Sequence, residues 1–266
     1  MAFYAKNFVF DGIPSEMYGL VISSSSSGED TSNASTDVDI KIQTIFRRPV
    51  PYFYGVTQTP VLEFDAEVYT TESEITQPDS ALIQKWLFGQ SNYKKLRIVQ
   101  PDMEEIYFNC FLTKPKICRV GNIIIGYTFT VVCDSPFAWG IEKTVRYSQS
   151  NTTNILFNES DNVYYTYPTL TIQLDGTANG TFLIRNITDN NRTFSMGSVG
   201  KWLQPSDLIS INNDLQIVTA TITPNILNTI ESPITFFRLL SGSNEIYVSG
   251  NIQYVDISYT PLKKAG

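Results

Sequence analysis

The chain contains no histidine in its 266 residues. That absence removes the commonest general base, any Ser-His-Asp or Cys-His relay, and most transition-metal sites. Cysteine is scarce as well. Cys110, Cys118 and Cys133 are odd in number, fall in strand-like segments and lack CxxC spacing. The pattern argues against a disulfide framework or a zinc site and leaves buried free thiols as the expectation. No apolar run approaches a membrane span, and the opening MAFYAKNFVFDG has one Lys and none of the apolar stretch of about 7 to 15 residues that marks a signal peptide. The reading is a soluble chain, made in a cytosol, that enters no membrane.

Other chemical signatures are missing too. The sequence has no Walker loop, no G-x-G-x-x-G and no nucleophile elbow, since Gly197-Ser198-Val199-Gly200 falls short of G-x-S-x-G. It has no basic, aromatic-interleaved patch of the kind that grips nucleic acid. Catalysis would therefore rest on carboxylates. Glu63 and Glu67 lie on the wet face of one predicted strand, and Glu104-Glu105 follow Pro101-Asp102 in a predicted turn. Glycoside hydrolysis needs two carboxyls about 5 to 9.5 Å apart in a cleft, and acids so placed read as solvated surface charge. Asn158-Glu159-Ser160-Asp161-Asn162 offers oxygen ligands but not the EF-hand spacing, so it reads as a turn. The six Asn-x-Ser/Thr sequons, Asn33 and Asn186 among them, follow from Asn- and Thr-rich turns. No catalytic, cofactor-binding or metal-binding residue is assigned, and no cofactor is expected.

What the chain does have is material for a core and for strands. It is 42% apolar and 13% aromatic, with 16 Phe, 15 Tyr and 3 Trp, far from the composition of a disordered protein. Its length favours two domains. Strand-like segments dominate: residues 7–10, 18–23, 37–46, 61–70, 96–99 and 105–113. In the fourth of these, Leu62, Phe64, Ala66 and Val68 alternate with Glu63, Asp65 and Glu67. Gly121-Asn122, between two β-branched runs, predicts a hairpin turn. One segment, 79–88, reads as a helix. Asp79 or Ser80 would cap it, Leu82, Ile83, Trp86 and Leu87 would lie on a sheet, and Gly89 would stop it in a left-handed conformation. Trp86 is read as core rather than as a ligand platform. The two Lys-Trp-Leu tripeptides, at 85–87 and 201–203, sit in different contexts and establish no repeat.

After Pro136-Phe137-Ala138-Trp139 the texture changes to Ser/Thr/Asn-rich residues 146–154, which places the expected domain boundary there: 1–146, then 150–266. The second part again gives short strands (169–174, 180–187, 208–212, 215–222, 245–250, 254–260) with turn residues between them, the spacing of an all-β sandwich. Charge is uneven. Residues 1–80 carry a net −8, residues 81–146 a net +4 and residues 147–266 a net −3, an asymmetry that is either an accident of the surface or a pair of complementary faces for self-association.

In their order, FVFDGIPSEMYGLVI (8–22), RRPVPYFYG (47–55), the helix ending KWLFG, FNCFLTKP (108–115), GYTFTVVCDSPFAWG (126–140), PTLTIQL (168–174), IRNIT (184–188) and LLSGSNEIYVSGNIQYVDISY (239–259) resemble the distal tail protein (Dit) family of long-tailed bacteriophages. The resemblance spans nearly the whole chain, and its motifs are packing and turn motifs. It implies a mainly β fold: an N-terminal β-sandwich or barrel-like domain with one helix that forms a hexameric ring, and a C-terminal galectin-like β-sandwich pointing outward. It implies a structural, non-enzymatic part of the virion tail tip or baseplate. The implied partners are other copies of itself, the tail tube protein, the tail-associated baseplate hub protein and receptor-binding proteins. DNA would pass through the lumen without specific binding.

Two rival readings differ in class. A carbohydrate-binding module in 150–266, part of a host-adhesion protein, is disfavoured because Trp202 is the only Trp after residue 139. The His-Asn-Arg set of galectins is also out of reach of a histidine-free chain. A two-carboxylate hydrolase lacks any acid cluster suggestive of a cleft. Residues 23–36, SSSSSGEDTSNAST, supply no apolar face. They read either as a solvated loop without a role or as the tip of a long hairpin between 18–23 and 37–46 that reaches a neighbouring subunit or docks to the tube or hub.

Overall fold

The computed structural model describes residues 3–24, 38–46, 49–58, 61–148, 150–162, 165–198 and 200–264. It is mainly β, with 52% strand and one α-helix among the described residues. The chain divides into two compact units, Met1–Gly140 with Lys263–Gly266, and Ile141–Leu262.

Among the described residues, ten strands lie wholly in unit 1: β1 (Phe8–Phe10), β2 (Ile13–Pro14), β3 (Leu20–Ser24), β4 (Val38–Gln43), β5 (Tyr52–Gln58), β6 (Glu63–Thr70), β7 (Lys94–Ile98), β8 (Ile106–Val120), β9 (Ile123–Cys133) and β10 (Ala138–Gly140). Seven of them run β2-β1-β7-β8-β9-β6-β3 through one antiparallel sheet. Lys6 and Ile22 exchange backbone bonds of 2.9 and 2.8 Å across the outer edge of β3. The residues just before β1 therefore tie β3 back to the start of the sheet and make the unit barrel-like. Period-2 alternation fills the interior: Ala66 and Val68 are buried, while Glu63 and Asp65 face water. Gly121, at φ +62°, makes the tight turn between β8 and β9, as its position between two apolar runs predicts. Pro115 sits inside β8 where Lys114 takes φ +53° and the register slips between Thr113 and Lys116. A bulge is one of the few places a strand accepts proline.

The helix α1 spans Gln77–Phe88 and buries Ile83 and Leu87. Three details differ from the sequence reading. Thr76 is the N-cap, accepting from Asp79 N, so neither Asp79 nor Ser80 has that role. Ser80 instead turns inward, 2.7 Å from the Tyr127 hydroxyl. Leu82 lies on the exposed side, and Gly89 has φ −83° rather than a left-handed conformation. Glycine is needed there because a Cβ would lie 2.4 Å from the Lys85 carbonyl oxygen. Trp86 is core: its ring stacks on Phe8 and Tyr18, and its indole N–H donates to the Phe10 carbonyl at 3.0 Å.

The strands 18–23 and 37–46 do not form a hairpin with each other. Among the described residues β3 pairs with β6, and β4 pairs with β5. Residues 25–36 of the polar stretch lie outside the described residues. Ser23 and Ser24 belong to β3, where their hydroxyls bond the backbone of Ala5 and Phe3.

Unit 2 is a β-sandwich. Its strands are β11 (Lys143–Tyr147), β12 (Thr152–Asn158), β13 (Thr169–Leu174), β14 (Phe182–Asn186), β15 (Arg192–Met196), β16 (Leu208–Asn212), β17 (Ile217–Ala220), β18 (Gly242–Gly250) and β19 (Ile252–Tyr259). One sheet runs β11-β19-β13-β16-β17 and the other β12-β18-β14-β15, all antiparallel. Leu170, Ile172, Ile184, Phe194, Ile211, Val248 and Ile257 are fully or almost fully buried in its core. The Ser/Thr/Asn-rich residues 146–154 fall within this unit, in β11, β12 and the turn between them, and not between the two units. Thr and Asn there form a strand because Leu156 and the β18 ladder supply what their own side chains do not.

Candidate assembly surface

The feature that stands out in unit 1 is a two-stranded ribbon. Among the described residues β4 and β5 pair only with each other, with Ile42 opposite Phe53 and Gln43 opposite Tyr52. Ile42 and Phe53 therefore share one face. Tyr52 and Tyr54 lie on the other, where Tyr54 donates to the Gln43 side chain at 2.7 Å. Both faces are wet: Phe53 is 67% exposed, Ile40 and Tyr54 more than 60%, and Phe46, just past β4, 88%. Scattered apolar residues on a surface are ordinary, but a contiguous set on an isolated ribbon marks an interaction site. An isolated two-stranded ribbon is itself marginal in water. The sequence reading took 37–46 as a strand but did not assign β5. YFYGVTQ has aromatic residues on both faces and so lacks the alternation that announces a half-buried strand.

A second apolar tip lies at the end of the β8–β9 hairpin. Ile117, Val120 and Ile123 are exposed there beside Lys114, Lys116 and Arg119. On the adjoining wet face, Glu63 and Asp65 share an open depression with Lys114, Lys116, Thr128 and Thr130, and Thr130 donates to Asp65 at 2.6 Å. Glu67 accepts from the Tyr69 hydroxyl. Glu63 and Glu67 thus lie on an open sheet face, Glu67 engaged by tyrosine, while Glu104 and Glu105 lie in the turn that follows the short 3-10 helix Pro101–Met103.

The remaining candidate groups take structural positions. Cys110 and Cys133 are opposite each other on β8 and β9, free and buried. Burial pushes both thiols up, Cys133 to about 12. Asn158, Ser160 and Asn162 are buried. The Asn158 amide donates to Thr166 and to the Leu240 carbonyl, and its Oδ1 accepts from Ser160 N, so this side chain is used to hold the turn. The Asn186 sequon is sealed in the core of unit 2, its amide donating to Arg238 O and Asn244 Oδ1. Among the described residues, no three Cys, Asp or Glu side chains gather as a metal site would require.

Two family models together match nearly the whole chain: a phage tail protein N-terminal domain over residues 3–135 and a phage tail C-terminal domain over residues 137–259. No curated protein matches the sequence. Among solved structures, the Dit protein of phage SPP1 is described as a paradigm of the hub adsorption apparatus in phages that infect Gram-positive bacteria. It aligns with a TM-score of 0.70 at 10% identity, over 97% of this chain and 99% of that one. A chain of the phage p2 baseplate in its activated conformation with Ca aligns with a TM-score of 0.53 at 10% identity, over 97% and 98%. The same baseplate with Sr gives 0.53 at 11% identity. At such identities the likeness shows a shared fold.

Proposed function

This chain belongs to the family of phage tail proteins whose N- and C-terminal domain models it matches, and from that membership we infer that it is a structural ring protein of the tail tip. In this reading six copies close into a ring through unit 1, the ring joins the tail tube to the baseplate hub, and the lumen lets DNA pass. Unit 2 faces outward, where receptor-binding proteins attach. The full-length likeness to a hub protein's fold supports the reading.

The β4–β5 ribbon carries it. An exposed apolar surface on both faces of a ribbon that, among the described residues, pairs with no other strand is satisfied by insertion between neighbours, and head-to-tail contacts of this kind close into rings when the rotation permits. Light scattering and negative-stain microscopy of the purified protein test the reading. A six-fold ring is expected, and the pair Ile42→Asp and Phe53→Asp should leave a folded monomer, because those side chains contribute nothing to the unit 1 core. A wild-type protein that stays monomeric at high concentration overturns it.

A further inference from the structure

The outward face of the five-stranded sheet in unit 2 has an unusual composition. Strand register places Arg146, Asp256, Thr171, Ser210 and Thr219 in one row across all five strands. The next row, two residues along, is Thr144, Ser258, Thr169, Asn212 and Ile217. These positions alternate with the buried Leu170, Ile172, Ile209, Ile211, Val218 and Ile257, so they point away from the core. Hydroxyls and one amide make up most of the face. Its one positive and one negative side chain neutralise each other: Arg146 Nε and Nη2 donate to the two Asp256 oxygens, both at 2.7 Å. The guanidinium is clamped over the Tyr254 ring, 3.8 Å from its centroid. The hydroxyls of Thr169, Thr171, Ser210 and Thr219 have no hydrogen-bond partner among the described residues.

We propose that this sheet face binds a neutral oligosaccharide laid across the strands, with the Arg146–Asp256 pair gripping a vicinal diol and the Thr171, Ser210 and Thr219 hydroxyls continuing the contact. The pair presents fixed N–H donors beside carboxylate lone pairs, which suits two neighbouring hydroxyls that each donate and accept. Tyr254 holds the guanidinium in place, so little side-chain freedom is lost on binding. Five strands about 4.8 Å apart give a track about 19 Å wide, the reach of a short oligosaccharide. A protein partner fits less well, because interface centres are rich in aromatic and aliphatic anchors and poor in Ser and Thr. Nucleic acid is excluded by the face's net charge of zero. The arrangement uses neither tryptophan nor histidine, which is why a search of the sequence for the usual sugar-site residues misses it.

The test is an array of neutral tetrasaccharides built from glucose, galactose or N-acetylglucosamine, probed with the full chain and followed by calorimetric titration of the best binder. Binding by at least one is expected. Arg146→Gln and the double variant Thr171→Val with Ser210→Val should each weaken it at least tenfold. Thr153→Val, on the opposite sheet, should leave it unchanged. The double variant keeps β-branched or similar volume, so an unaltered melting temperature separates lost contacts from lost fold. No binding to any array member, or binding that survives both sets of substitutions, overturns the proposal. Titrating the ribbon variant as well keeps this outcome separate from ring formation.

Discussion

A carboxylate removed from water persists only if hydrogen bonds replace the hydration it loses, and Asp207 shows how completely a turn can do this. The residue is fully buried. Its Oδ1 accepts from Thr221 N, Thr221 Oγ1 and Ile222 N, and its Oδ2 from Thr223 N, at 2.8 to 2.9 Å. Burial alone would raise the carboxyl pKa, yet the bonds from Thr223, Thr221 and Ile222 outweigh it and hold the group below its ordinary value. Because the folded pKa is the lower one, the unfolded chain takes up the proton first. The stabilisation is present above the unfolded value of about 3.9 and is lost as pH falls through the folded value. Urea denaturation of unit 2 should show stability falling below about pH 4, and Asp207→Asn should cost about 2 to 3 kcal/mol at pH 7 and flatten that dependence. An unchanged pH profile in the variant would remove Asp207 as its source. The thiols give a second check at this scale. Burial, and then each other's proximity for Cys110 and Asp134 for Cys133, push the two core thiols up. Cys118, less buried, is raised by burial and then by Glu67. Alkylation of the folded protein at pH 7.5 should therefore modify Cys118 first, and mass spectrometry should find Cys110 and Cys133 only after denaturation.

At the scale of single elements, what can be read from sequence is what local spacing encodes. The helix is announced by Ile83, Trp86 and Leu87, and the β8–β9 turn by Gly121-Asn122, because 3.6- and 2-residue periods and turn chemistry act within a few residues. The helix cap was misplaced because Asp79 and Ser80 are both good caps. The choice of Thr76 depends on Ser80 being drawn inward to Tyr127, a contact 47 residues away in sequence. Pairing is non-local in the same way: β3 meets β6 across more than 40 residues, and no pattern in either strand names its partner. β5 is hard to read for a related reason, since YFYGVTQ carries aromatic residues on both faces and no alternation marks a half-buried strand. Thr76→Ala should lower stability by about 1 kcal/mol. Gly89→Ala should lower it further, since its methyl would meet the Lys85 carbonyl 2.4 Å away. Melting curves in which Gly89→Ala is the milder of the two would contradict this account of the helix stop.

At the scale of the whole molecule, the division into units makes a sharp prediction about where the chain can be cut. The change to Ser, Thr and Asn after residue 146 looks like a linker in sequence, yet it is the sandwich's own β11, turn and β12. Polar residues on the wet sides of two sheet-edge strands have the composition of a loop, and only the partners across the ladder tell them apart. β11 pairs along its whole length with β19, from Lys143 opposite Tyr259 to Tyr147 opposite Val255, and packs Val145 and Tyr147 on the core. A fragment beginning at residue 150 lacks that strand. It leaves the β19 edge unpaired and uncovers apolar surface worth about 2 to 4 kcal/mol, a large share of the stability of a domain this size. It also removes Arg146, and with it half of the pair that would grip a sugar. A fragment of residues 141–264 should therefore unfold cooperatively at the temperature of the second unit in the intact chain, while 150–264 should melt at least 10 °C lower or aggregate through its open edge. Equal melting of the two fragments by calorimetry would mean that β11 is dispensable to the sandwich and that the boundary lies where the composition changes.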